Sequence, residues 1–133
     1  MKSTRINVKT SRTVQFINLS REVNDIIRES GVQDGLCVIF VPHTTAGVTI
    51  NENADPDVVR DMVKEINKIV PFNDSYAHME GNSAAHIKSS VIGPSISLII
   101  ENGRPIYGTW QSLYFCEFDG PRSRTCIVKV IEG

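Results

Sequence analysis

Gly35 to Val41 reads GLCVIFV, an unbroken apolar run of strand length that Pro42 stops. A run this short, with no polar alternation, predicts a strand covered on both faces. On its N-terminal side, Arg5 to Val8 and Thr13 to Asn18 alternate apolar with polar residues and predict two more strands. Between them and the central run, Val23, Ile26 and Ile27 recur at helical spacing. Ser20 stands as the expected N-cap and Gly31 lies just beyond the helix end. On the C-terminal side, Gly47 to Asn51 (GVTIN) predicts a strand. Asp55-Pro56-Asp57 then opens a helix, with Asp55 as cap and Pro56 at the first helical position. Val58, Met62, Ile66 and Ile69 carry its apolar stripe as far as Pro71. After a polar loop come a short helix, Ser83 to Val91, and strands over Ser95 to Ile100, Thr109 to Phe118 and Arg124 to Ile131. Asn102-Gly103 marks a hairpin turn.

Strands and helices in this order lack the regular alternation of a doubly wound parallel sheet. The expectation is a single α+β domain over residues 1–133. Its sheet is curved and antiparallel or mixed, with a sandwich of two sheets as the alternative form, and helices packed outside. A chain of this size buries roughly two-thirds of its unfolded surface. Lys and Arg number 14 against 15 Asp and Glu and are scattered, so no broad basic face for nucleic acid is expected. No apolar run is long enough for a bilayer, and Met1 to Lys9 lacks the apolar centre of a signal peptide. Cys37, Cys116 and Cys126 are widely spaced and odd in number, and read as buried thiols. Cytoplasmic localisation without a membrane partner is the expectation.

The three histidines are the candidate chemistry. His43 follows the central strand and its proline, His78 lies in the polar loop, and His86 sits on the short helix. Three neutral imidazoles can hold a divalent ion with a position left open, although none of them has the tight helical spacing of a zinc motif. On spacing alone, one core histidine, one surface histidine and one hydrogen-bonded helix residue account for them better. Thr44 and Thr45 next to His43 are candidate phosphate donors. Asn51 and Glu52 end the following strand, and Glu52 is the candidate general base. Ser89 and Ser90 share the His86 face of the helix, whereas Lys88 points away and reads as solvated. Gln111, Arg122 and Arg124 complete the candidate anion-binding set. Surface ion pairs with Glu117 or Asp119 are the alternative use of the arginines.

His43-Thr44-Thr45-Ala46, Asn51-Glu52-Asn53-Ala54-Asp55-Pro56 with Arg60-Asp61-Met62, His86-Ile87-Lys88-Ser89-Ser90 and Gly108-Thr109-Trp110-Gln111 occur in that order along nearly the whole chain. Together they resemble the secondary thiamine-phosphate synthase family. The resemblance implies a small α+β fold, a homotrimer and a metal-compatible histidine cluster at a cleft lined by subunits. The loop Met79 to Ala85 departs from many relatives, with Glu80 as its only acid. The expected function is then that of a metal-dependent transferase condensing a pyrimidine methyl diphosphate with a thiazole phosphate. His43, His78 and His86 would hold a divalent ion, zinc first among the candidates. Glu52 and Arg122 would be catalytic, and Thr44, Thr45, Asn51, Ser89, Gln111 and Arg124 would bind substrate. Two other readings are a metal-assisted phosphate-ester hydrolase and a non-catalytic module binding a metal or a phosphorylated metabolite.

Overall fold

The α+β class holds, and the sheet takes the two-layered form. In the computed structural model, which describes residues 2–133, the elements run β1 (Ser3–Lys9), β2 (Gln15–Asn18), α1 (Ser20–Ser30), β3 (Gly35–Phe40), β4 (Ala46–Glu52), α2 (Pro56–Ile69), α3 (Ser83–Ile92), β5 (Ser95–Glu101), β6 (Arg104–Pro105), β7 (Gln111–Glu117) and β8 (Ser123–Glu132). A larger sheet has the order β1-β8-β3-β5-β6 and a smaller one the order β2-β7-β4. Every strand pair is antiparallel. The main core joins Cys37 and Ile39 of β3, Leu98 of β5 and Val128 of β8 to Val48, Leu113 and Phe115 of the smaller sheet. Val23 and Ile27 of α1 complete it. A second core, built on Phe16, Tyr114 and Cys116, lies under Val59 and Val63 of α2 and Ala85 and Ile92 of α3.

Local signals account for most element ends. Asp55 accepts the Asp57 N–H at 2.9 Å, as an N-cap should. Gly31 closes α1 at φ 73°, where a side chain would be strained. Asn102 and Gly103, at φ 53° and 76°, form the tight turn between β5 and β6. Ser20 differs from expectation. It is the first helical residue, after Leu19 as cap, and its Oγ accepts the Leu113 N–H of β7 at 2.8 Å. A strand N–H with no other partner takes the hydroxyl that the helix end would have used.

The central run also differs. β3 is buried on one face only: Cys37 and Ile39 are fully covered, whereas Leu36 is 44% and Phe40 43% exposed. Ile99 and Ile131, paired with Leu36 across β5 and β8, are 56% and 42% exposed. The strand enclosed on both faces is β7, whose polar letters conceal it. Every residue from Ser112 to Glu117 is buried. β7 is the middle strand of the smaller sheet, with the larger sheet on one side and α2 and α3 on the other. Among the described residues no helix is long and apolar enough to cross a membrane.

Candidate functional site

Where β3 ends, Pro42 breaks the ladder and frees His43. His43, Thr44, His78, Asn82, His86 and Arg122 line one cleft of about 530 Å³. The loop before α3 supplies His78, and the second turn of α3 supplies His86. Their rings stand perpendicular with centroids 5.6 Å apart. Glu80 Oε2 lies 3.7 Å from His78 Nε2, an ion-pair distance rather than a hydrogen bond. His43 Nε2 accepts the Thr125 N–H at 3.0 Å, which leaves Nδ1–H as its donor. Burial, and next the Arg124 guanidinium, hold the His43 pKa below its ordinary value. His43 is therefore neutral at pH 7. Arg122 donates through Nε to the Asp119 carbonyl at 2.8 Å and through Nη2 to Asp119 Oδ2 at 2.9 Å. The same carboxylate accepts Asn82 Nδ2 at 3.0 Å.

Beneath the cleft lies a buried ionic network. Arg124 of β8 grips Glu117 of β7 in a two-point contact, Nε to Oε1 at 2.8 Å and Nη2 to Oε2 at 2.5 Å. Nη2 also reaches Thr45 Oγ1 at 2.7 Å. Thr10 Oγ1 donates to Glu117 Oε1, and the Asp119 N–H donates to Oε2, both at 2.9 Å. Glu117 is fully buried. Burial pushes its pKa up, but Arg124 and the two neutral donors together outweigh that and hold it below the usual carboxylate value. Arg124 and Thr45 thus join the two sheets under the cleft, and much of their bonding capacity is already taken. Glu117 was read in the sequence as a surface partner of the arginines; it does pair with Arg124, but in the interior.

Other candidates stand elsewhere in the chain. Asn51 and Glu52 end β4 opposite Ser112 and Gln111. Six residues of extended strand separate Glu52 from Ala46 beside the cleft, about 20 Å. Asn51 Oδ1 accepts the Glu52 N–H, and Gln111 Oε1 accepts the Gly108 N–H. Ser89 is turned inward, donating to the Ala46 carbonyl at 2.7 Å and fastening α3 to β4. Lys88, expected in solvent, is completely buried. Its ammonium donates to Asn67 Oδ1 at 2.7 Å and lies 4.1 Å from the Phe72 ring centre. Burial lowers its pKa. The expected grouping on α3 does not hold: Lys88 and Ser89 are both interior, whereas Ser90 is exposed. Asn82 is the cleft residue that sequence reasoning missed, with the polar loop before a helix as its only signal; Asp119 was read as a partner of the arginines and pairs with Arg122.

A family model described as UPF0047 protein YjbQ-like matches residues 4–133. The chain belongs to the UPF0047 family. It is 51% identical over 127 residues to the UPF0047 protein YugU of Bacillus subtilis, covering 95% of this chain and 96% of that one. A UPF0047 protein of Methanocaldococcus jannaschii is 48% identical over 127 residues, covering 96% and 92%. The crystal structure of a YjbQ/UPF0047 family protein from Clostridium acetobutylicum is similar at 54% identity. Its TM-score is 0.95, and the match covers 96% of this chain and 99% of that one.

Membership in UPF0047 corrects the resemblance to secondary thiamine-phosphate synthases, because the family model over residues 4–133 and the similar curated proteins are all UPF0047. Thiamine-phosphate synthase activity loses its support with it. The metal-dependent transferase and the metal-assisted hydrolase are corrected on geometry as well. Among the described residues, no three His, Cys, Asp or Glu side chains stand together as a metal-holding group. His43 reaches the same cleft as His78 and His86, but its Nε2 is occupied by the Thr125 N–H. A zinc site needs its ligand set closed to about 2 Å around one point. The residues of this UPF0047 chain do not present that set.

Proposed function

We propose that the histidine cleft binds a small phosphorylated metabolite through side-chain donors. One observation carries this reading. Asn82 Oδ1 is buried at the cleft with no hydrogen-bond partner, while its Nδ2 is held by Asp119. A buried acceptor left open costs about 1–3 kcal/mol, so it marks a place where a donor belongs. Around it stand His78, His86, Thr44 and the partly exposed Arg122, all able to donate to an anion. A monohydrogen phosphate group satisfies both demands, since its oxygens accept and its P–OH donates.

Titration of the full chain with inorganic phosphate or glycerol phosphate at pH 7 should raise Tm by mass action. Amide shifts should centre on Thr44, Asn82 and His86. Sulfate has the same shape but no proton to give Asn82, and should bind about tenfold more weakly, a cost of about one hydrogen bond. His86→Ala and Arg122→Ala should each weaken phosphate about tenfold. Phosphate without effect on Tm or on these amides overturns the reading.

Two further expectations belong here as proposals. The buried free thiols Cys37, Cys116 and Cys126 support a cytoplasmic location. The half-exposed row Leu36, Phe40, Ile99 and Ile131 on the larger sheet supports self-association, with a homotrimer as the expected stoichiometry. Sedimentation equilibrium should give three times the chain mass, and Leu36→Lys with Ile99→Lys should give one. A wild-type monomer at micromolar concentration would sink this assembly.

A further inference from the structure

Among the described residues, every buried side-chain polar atom without a hydrogen-bond partner lines one of two cavities. Asn82 Oδ1 belongs to the histidine cleft. Asn24 Oδ1 and the Tyr107 hydroxyl belong to a second cavity of about 560 Å³, between α1 and the β5–β6 hairpin. The two cavities share no lining residue. The second is of the size that encloses a small organic ligand. Pro105 and the Tyr107 ring form its apolar wall over the buried Ile27 and Val32, Asn24 and Tyr107 carry the polar atoms, and Arg28 and Arg104 stand at its charged side.

Ser20 Oγ accepts the Leu113 N–H at 2.8 Å and stands next to the Tyr107 hydroxyl, which has no partner in hydrogen-bond geometry. The arginines differ. Arg28 is paired with Asp25 at 2.8 Å, whereas Arg104 enters no ion pair among the described residues. The rim is fixed, since Gly103 N–H donates to the Gln33 carbonyl at 3.0 Å and the Asn102-Gly103 turn is set by its dihedral angles. An open acceptor, a hydroxyl, an apolar wall and an unpaired cation therefore surround one preformed space.

We propose that this cavity is a second ligand site, for a small aryl carboxylate with a hydrogen-bond donor at its far end. The ring lies against Pro105 and the Tyr107 ring, the carboxylate meets Arg104, and the far donor satisfies Asn24 Oδ1 with the Tyr107 hydroxyl completing the polar end. This site is independent of whether the histidine cleft takes phosphate.

The test is a two-dimensional amide NMR titration of the full chain with 4-aminobenzoate, and with benzoate, which lacks the far donor. A ligand of this size should bind with Kd on the order of 1 mM. Shifts confined to the segments 24–33 and 102–107, with benzoate about fivefold weaker, support the site. Tyr107→Phe and Arg104→Ala should each weaken 4-aminobenzoate about fivefold or more. Tyr107→Phe should leave Tm unchanged or raised, because the hydroxyl it removes makes no bond. Absence of shifts overturns the proposal. So do shifts centred instead on Thr44, Thr45 and His86, or equal binding by wild type and both variants.

Discussion

Replacing Glu117 with alanine should destabilise the protein by about 3–5 kcal/mol, because it leaves the Arg124 guanidinium buried and without its counter-charge. Arg124 is almost as enclosed as its partner, with side-chain exposure of 3% against 0% for Glu117. Its remaining acceptors, the Thr45 hydroxyl and carbonyl, are neutral. The double variant Glu117→Leu with Arg124→Met should recover most of the loss, since removing both charges also removes the need to desolvate them. Recovery should be incomplete, because Thr10 and the Asp119 N–H lose an acceptor. Urea denaturation of the three proteins measures both effects. A single-variant cost below about 1 kcal/mol would mean that the pair does not hold the sheets together.

The same pair fixes the acid limb of stability. The Glu117 pKa in the folded chain lies below its ordinary 4.5, so above that value its contribution is complete. As pH falls below it the unfolded chain takes up the proton first, and the contribution is lost by the time pH passes through the lower folded value. Acid unfolding should therefore begin below about pH 4.5 and flatten in the double variant, with the difference between the two titrations assigning it to this pair.

Gly35→Ala should cost about 3 kcal/mol or more, although it adds a single methyl group. A Cβ at Gly35 would stand 2.0 Å from the Ile131 carbonyl oxygen of β8, an atom of the backbone that cannot rotate aside. Gly35 is paired with Ile100 of β5 on one side and with Glu132 of β8 on the other, so the strand has no free edge toward which to shift. Gly31→Ala is the control. Nothing lies within 4 Å of a Cβ there, and only the left-handed φ of 73° opposes it, a cost of about 1–2 kcal/mol. Thermal and urea melts of the two variants give the comparison. Equal losses would mean that β3 and β8 do not approach at this register.

These two positions separate what was legible in the sequence from what was not. Periodicity, caps and turn residues located the strands and helices because each is a local property. Val23 and Ile27 follow from a period of 3.6, Asp55 from an N-cap that reaches Asp57, and Asn102-Gly103 from the φ values a tight turn requires. The gathering of His43, His78 and His86 at one cleft was not fixed by their spacing and was expected only from the family resemblance. Glu117 and Gly35 carry no such local mark. Their roles come from Arg124 and Ile131 on β8, a strand distant in the chain from Gly35 and in a different sheet from Glu117.

By itself, then, the sequence determined the α+β class, the element order apart from β6, the caps at Asp55 and Gly31, and the choice of histidines as the chemical feature. Only the tertiary structure decided which strand is enclosed. The apolar GLCVIFV run is half open because among the described residues no layer covers the outer face of the larger sheet, while QSLYFCE is buried on both faces between a sheet and two helices. It also decided that Lys88 is interior, that Glu52 stands away from the histidines, and that His43 spends Nε2 on Thr125 rather than on a shared metal. The reason is physical. A side chain's direction along its own helix or strand is fixed by backbone geometry, but what stands opposite it is fixed by how layers pack and by which distant group needs a hydrogen-bond partner.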